Sequence, residues 1–325
     1  DNSYTYFRDR YNTIKIRGYK LPGNSMKIDV LHFGLRNIFL PAFWFLGTLK
    51  VRLQAFNFIP DMIISDFEPV GISLSKVLNR KCLVVFGYDP ELYKAYKKKY
   101  GTNYKLKIES TYFEKLYDQS DHVIIPTFRK KPGKHLEYTY INPIIRVQPK
   151  ELPSNSVLMK KLGLKKKPVL VMLGGSDFGT KLAKHINRIA KESKEEFYIF
   201  GGRLSGDFAK NVHYIQYTDK FFHYLKVCKG VITLAGQQTL AEALVYKKPI
   251  LSFPIRDHVE QIINAYSIEK TIMVSHKHSF KEVNKTVKQF LRNLASIEKK
   301  VKKLNVQGNG AEQVAEIVKL LKDRY

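Results

Sequence analysis

Short, continuous apolar runs alternate with amphipathic stretches along the whole chain, and this alternation restricts the fold more than any other feature. The run 62–64 ends at Ser65-Asp66, 82–86 ends at Gly87, and 122–125 ends at Pro126. Beyond residue 150 the pattern returns. The run 169–173 is closed by Gly174-Gly175-Ser176, 197–200 by Gly201-Gly202, 230–233 leads to Gly236, 250–253 ends at Pro254, and 212–215 is a further run. Apolar runs without polar alternation suit strands covered on both faces, as in parallel sheets flanked by helices. Helical spacing appears between them at 70–78, 180–190, 239–245, about 258–267 and 311–321. The pattern predicts an α/β chain of doubly wound sheets with right-handed crossovers. Pro143, Pro149 and Pro153 mark a boundary near residue 150, dividing 1–150 from 151–305. The last helix, within 306–325, is expected to pack back on the first domain. In such sheets ligands sit beyond the carboxyl ends of the strands.

Length and charge narrow the function. The 325 residues allow about two domains. The net charge of +27 comes from 25 basic against 13 acidic residues in 1–150 and 31 against 16 in 151–325, so it is not a basic tail. A field of this sign favours phosphorylated ligands, acidic lipid surfaces or nucleic acid. Cys82 and Cys228 stand far apart and form no C-x-x-C pair, which fits a reducing compartment. No apolar run reaches the roughly 18 residues a membrane span needs.

Two strand-to-helix turns carry candidate chemistry. Gly174-Gly175-Ser176 brings backbone close to the start of a helix, whose free N–H groups and dipole favour a phosphate; a ligand-free βα turn has the same composition. Gly236, Gln237, Gln238 and Thr239 form the second turn. Glu242 follows, either as a helix-start charge or as the bidentate acceptor for two vicinal ribose hydroxyls. His258, Glu260 and Gln261 cluster past the end of the 250–253 run, as a helix start with a solvated face or as a binding group.

The pattern Gly236, Thr239, Glu242-Ala243, Lys248-Pro249, Pro254, Glu260-Gln261, Asn264-Ala265 resembles the donor half of the two-domain nucleotide-sugar glycosyltransferases. It is most similar to family 28, which includes the peptidoglycan lipid-linked GlcNAc transferase, and to its archaeal and bacterial branch. Residues 64–69 and 142–146 resemble that branch too. The resemblance implies a GT-B fold, two Rossmann-like domains with a cleft between them. It implies that Glu242 holds the ribose, and that Gly174, Gly175, Ser176 and the 236–239 turn hold the diphosphate. Glu260 and Gln261 would hydrogen-bond the donor sugar, His258 would belong to the same donor site, and Tyr217 to Phe221 would line the base pocket. Such enzymes are inverting and need no metal, so no cofactor is expected beyond the UDP-sugar substrate, a UDP-GlcNAc-like donor. The Asp66-Phe67-Glu68 stretch has the D-x-E form of a metal site but follows a strand of the wrong domain for the donor.

One departure stands out. The family opens with a strand and a Gly-rich loop carrying a His, and no such motif is present; the segment 13–17 looks like a later strand. Either about 40 residues precede Asp1, the reading favoured because a sheet lacking its first strand leaves edges unpaired, or the acceptor loop is absent. Asp66 and Glu68 are then the remaining candidates for the catalytic base.

The run 38–49 is uncharged, contains Phe43 and Trp44, and is flanked by Arg36, Lys50 and Arg52. It reads as an interfacial membrane segment or a buried helix. Between 92 and 107, Tyr93, Tyr96, Tyr100 and Tyr104 recur at helical spacing among lysines, suiting an anionic lipid surface or a half-buried face. No nucleic-acid motif accompanies them, and no nucleic-acid partner is expected. The whole reads as a cytoplasmic, membrane-peripheral transferase acting on a lipid-linked or glycolipid acceptor. A nucleotide-sugar hydrolase or epimerase, and a non-catalytic nucleotide-sugar-binding protein, are the alternatives.

Overall fold

The computed structural model of the chain describes residues 2–18, 35, 37–129, 138–174, 179–202 and 204–322. The described residues form two parallel sheets, of four and six strands. The first domain runs α1 (Asn2–Phe7), α2 (Leu40–Gln54), β1 (Met62–Ser65), α3 (Pro69–Leu78), β2 (Lys81–Val85), α4 (Pro90–Tyr100), α5 (Tyr104–Tyr117), β3 (His122–Pro126) and β4 (Tyr138–Ile141). Its strands pair in chain order, β1-β2-β3-β4. The second runs α6 (Asn155–Lys161), β5 (Val169–Met172), α7 (Thr180–Ala190), β6 (Phe197–Phe200), β7 (Val212–Ile215), α8 (Phe221–Val227), β8 (Gly230–Thr233), α9 (Gln237–Val245), β9 (Ile250–Ser252), α10 (Val259–Ser267), β10 (Met273–Val274), α11 (Phe280–Arg292), α12 (Leu294–Leu304) and α13 (Gly310–Lys322). Its strand order, β7-β6-β5-β8-β9-β10, reverses between β5 and β8. A doubly wound sheet opens a crevice at such a reversal.

Strand residues of the first sheet alternate between two cores, as a two-residue period requires. Cys82, Val84, Val123 and Ile125 face α4 and α5, where they meet Leu92, Tyr93, Phe113 and Tyr117. Leu83, Ile124 and Ile141 face the other way and are covered by Val314, Ile317, Val318 and Leu321 of α13. The chain's last described helix therefore lies on the first domain. It is anchored by Asn142, whose backbone N–H donates to Gln313 Oε1 at 2.7 Å, and by Gln148 Nε2, which donates to Gly308 O at 2.8 Å.

Local chemistry sets the helix ends. Asp89 caps α4 through the N–H groups of Glu91 and Leu92, with Pro90 in the first turn where its missing donor is not needed. Gly101 (φ +76°) ends α4, and Asn103 caps α5. The tyrosine stripe thus spans two helices and not one, because Gly101-Thr102-Asn103 interrupts it. Tyr93 is buried, Tyr96 and Tyr100 pack against Tyr266 of α10 at 5.5 and 5.9 Å, and Tyr104 is exposed. The 13–17 segment forms no strand. It lies along α2, with Arg17 stacked over Phe43 at 3.8 Å and Lys50 Nζ donating to Lys15 O.

Candidate active site

The carboxyl ends of both sheets meet. Gln237, the first residue of α9, donates from Nε2 to the carbonyl of Pro126 at the end of β3, 3.0 Å away. Gly87, just past β2, faces the same side chain so closely that a Cβ there would stand 2.8 Å from Gln237 Cγ. The turns after β1, β2 and β3 therefore share one seam with the turns of the second sheet.

On the second domain the reversal point brings the two glycine turns onto neighbouring strands, with Met172 paired to Thr233. Gly174 follows β5 at φ +71° and is exposed; Gly175 and Ser176 lie outside the described residues. Gly236 is the N-cap of α9, and Ala235 before it sits at φ +69°. Left-handed backbone at a non-glycine costs of order 1 kcal/mol or more and collects at functional turns. Phe67 (φ +51°) and Asp257 (φ +61°) are held in the same way, and all three follow strand ends on the seam.

Glu242 lies about one and a half turns into α9 and is buried. Its Oε1 accepts from Gln238 Nε2 at 3.0 Å and lies 3.4 Å from Arg146 Nη2, whose guanidinium also rests 4.9 Å over the Phe222 ring. Burial raises the Glu242 carboxyl pKa, and Gln238 and Arg146 offset only part of that. Gln238 is exposed and Thr239 half-buried in the first turn. Tyr217 is exposed, its hydroxyl on Asp219, while Phe221 is packed edge-on against Phe200 and Phe222.

The sugar-end candidates sit deeper in the seam. His258 is the N-cap of α10, with Nδ1 2.8 Å from Glu109 Oε1. Burial raises the Glu260 carboxyl pKa, and the nearby His258, the backbone N–H of Gln237 and Asn264 act against it. Gln261 Oε1 accepts the N–H of Ile255 at 3.0 Å. Asp66 and Glu68 lie across the seam at the end of β1. Asp66 is exposed at the residue level and Glu68 half-buried; partial desolvation raises both carboxyl pKa values, and Glu68 Oε1 has no hydrogen-bond partner. Phe67 between them stacks on Phe86 at 3.7 Å, fixing this turn beside Gly87. Among the described residues no group of three His, Cys, Asp or Glu side chains is placed to hold a metal ion. A surface groove lined by Lys76, Arg80, Lys81, Asp118 and Asp121 lies at the opposite, amino ends of β2 and β3, away from these groups.

Sequence spacing does not reveal Glu109, Gln237's reach to Pro126 or the Arg146–Glu242 pair. Each joins residues about 100 or more positions apart, and only the shared seam brings them together.

The family model described as Glycosyl transferase family 1 matches residues 1–295. The chain belongs to glycosyl transferase family 1. Among similar proteins, an uncharacterized glycosyltransferase of Methanopyrus kandleri is 28% identical over 217 residues, covering 63% of this chain and 61% of that protein. One from Methanosarcina mazei is 25% identical over 244 residues, covering 69% and 62%. The chain thus spans about six tenths of the length of these two relatives. In fold, MurG of Acinetobacter baumannii matches with a TM-score of 0.57 at 12% identity, covering 97% of this chain and 87% of that one. The calicheamicin glycosyltransferase matches with 0.56 at 15%, covering 90% and 84%. The fold is GT-B, as the sequence resemblance implies.

On the first domain, α2 buries Leu40, Gly47 and Thr48, while Phe43 and Trp44 are half-buried. Phe45, Leu46, Leu49 and Leu53 face outward, continuing into exposed Phe56, Phe58 and Ile59. Lys50 and Arg52 flank this face, and Arg36 lies outside the described residues. No helix among the described residues is long and apolar enough to cross a membrane.

Proposed function

We propose that this family member is an inverting transferase that moves a sugar, GlcNAc-like, from a UDP-sugar to a lipid-linked or glycolipid acceptor at the cytoplasmic membrane face. The observation that carries this reading is the pairing of β5 with β8, which sets Gly174 beside the Gly236 helix start at the sheet's reversal point, with Glu242 further along the same helix. A diphosphate laid across these turns meets N–H groups and the positive ends of α7 and α9. Glu242 then accepts the ribose hydroxyls, and Glu260 with Gln261 meets the sugar.

The chemistry is a single displacement. The acceptor oxygen bonds to the sugar's anomeric carbon as the bond from that carbon to the diphosphate oxygen breaks. Charge grows on the leaving diphosphate, where the helix starts stabilise it without a metal. Asp66 at the exposed lip of the turn or the half-buried Glu68, each with its pKa raised by partial desolvation, takes the acceptor's proton. The outward apolar face of α2, with its flanking Lys50 and Arg52, supports an acceptor held in a lipid surface.

Calorimetry of the full chain against UDP, UDP-GlcNAc and other nucleotide sugars, with and without a chelator, tests the donor half. Saturable UDP binding that survives chelation is expected. Rapid release of free sugar, or isomerised donor, with no acceptor present would favour the hydrolase or epimerase alternative. Binding with no turnover in membrane extracts would favour a non-catalytic protein.

A further inference from the structure

The loop that leads into Glu260 and Gln261 is held from the other domain. Glu109, on α5, places Oε2 2.6 Å from the backbone nitrogen of Val259 and Oε1 2.8 Å from His258 Nδ1. Val259 is the first residue of α10, and its N-cap, His258, makes no side-chain cap of its own. The first N–H groups of a helix lack internal partners, so Glu109 supplies from the first domain the acceptor that a capping residue ordinarily supplies locally. Its negative charge also lies at the positive end of α10.

Two neighbours on the same helix start complete the hold. Asn103 Nδ2 donates to Asp257 Oδ1 at 3.1 Å, and Lys105 Nζ lies 3.5 Å from Asp257 Oδ2. These contacts grip the residue whose φ of +61° turns the chain into α10. Val259, Ile262 and Ile263 then enter the apolar core between the first sheet and α4 and α5. The start of α10 therefore belongs to the first domain's packing, although the chain reaches it from the second domain's β9. His258 is half-buried, and desolvation opposes its charged form, but Glu109 and Glu260 more than offset this and its pKa is raised.

We propose that Glu109 is a positioning residue of the acceptor-side domain, which fixes Glu260 and Gln261 for the donor sugar through His258 and the backbone of Val259. The proposal rests on the reading that these two residues meet the sugar. UDP alone engages the second domain, whereas the added grip on the sugar requires the first domain to be docked through Glu109.

The test compares the full chain with Glu109→Ala and Glu109→Gln. UDP and UDP-GlcNAc are titrated separately, and backbone hydrogen exchange is followed over 257–263. For Glu109→Ala, UDP-GlcNAc affinity should fall about tenfold, as for a lost charge-assisted contact, while UDP affinity stays within about twofold. Exchange over 257–263 should quicken while the β5 and β8 segments keep their protection. Glu109→Gln keeps an acceptor for Val259 but not the charge, so it should fall between the two and folds even if the alanine variant does not. Equal losses for UDP and UDP-GlcNAc, or unchanged exchange over 257–263 in both variants, would overturn the proposal. If the unaltered chain binds neither nucleotide, the donor reading fails, and the exchange result still decides whether Glu109 holds this loop.

Discussion

Arg146 Nη2 lies 3.4 Å from Glu242 Oε1, joining the segment after β4 to the middle of α9. The arginine is largely exposed and the carboxylate buried, so the pair keeps an ionised group in a place that disfavours it. Burial raises the Glu242 pKa above its unfolded value. The folded chain therefore binds this proton more tightly than the unfolded chain does, and the ionised carboxylate costs stability above the folded pKa but not below the unfolded one. A buried carboxylate retained at such a cost is expected to serve a ligand.

Glu242→Gln should accordingly raise the melting temperature of the unliganded chain at neutral pH and weaken UDP binding by about 1–3 kcal/mol. Scanning calorimetry and UDP titration of one sample read both effects. Unchanged UDP affinity would remove Glu242 from the ribose role.

The base assignment makes a pH prediction. A carboxylate base works only when ionised, so the rate falls as pH drops through its pKa. Partial desolvation raises the pKa values of the half-buried Glu68 and, at its more exposed position, of Asp66, which moves that limb upward from the ordinary carboxylate value near 4. Asp66→Asn and Glu68→Gln should separate the two. The variant lacking the base loses roughly 10²–10⁴ in kcat and the acid limb with it, while keeping UDP affinity. Two variants that both retain full kcat would leave the proton to another group.

Most of the fold was legible because its signals are local. The runs at 169–173 and 230–233 are apolar throughout, and the glycines and prolines that close them fall at the strand ends. The helix over 180–190 was readable for the same reason. The seam was not legible. Nothing around Glu109 marks it as a cap for a helix 150 residues later, and the Tyr96–Tyr266 contact looks from one side like a lipid-facing stripe. The segment 13–17 has strand-like alternation, yet it pairs with no described strand and packs along α2, with Ile16 against Gly47.

Gly87 is a sensitive point of the seam. Its backbone needs no left-handed φ, so the restriction on a side chain is the Gln237 side chain alone. Gly87→Ala should push Gln237 aside and break its hydrogen bond to Pro126 O, costing about 0.5–1.5 kcal/mol. Small-angle scattering should then show a more open pair of domains, with the melting transition only slightly lower. Identical scattering and unchanged donor affinity would mean that this contact does not hold the domains together.

The two faces of α2 make opposite predictions. Phe45 and Leu49 point outward, so Phe45→Glu with Leu49→Glu removes apolar surface only from a bound membrane. At about 25 cal/mol per Å² the pair should lower binding to vesicles of mixed anionic and neutral lipid by at least about tenfold, without moving the melting temperature. Phe43 is half-buried beneath Arg17, so Phe43→Glu should lower the melting temperature as well. Co-sedimentation with vesicles and a thermal melt distinguish the cases. If the outward pair unfolds the chain while leaving vesicle binding intact, α2 packs against protein on both faces, and the acceptor's lipid must be sought elsewhere.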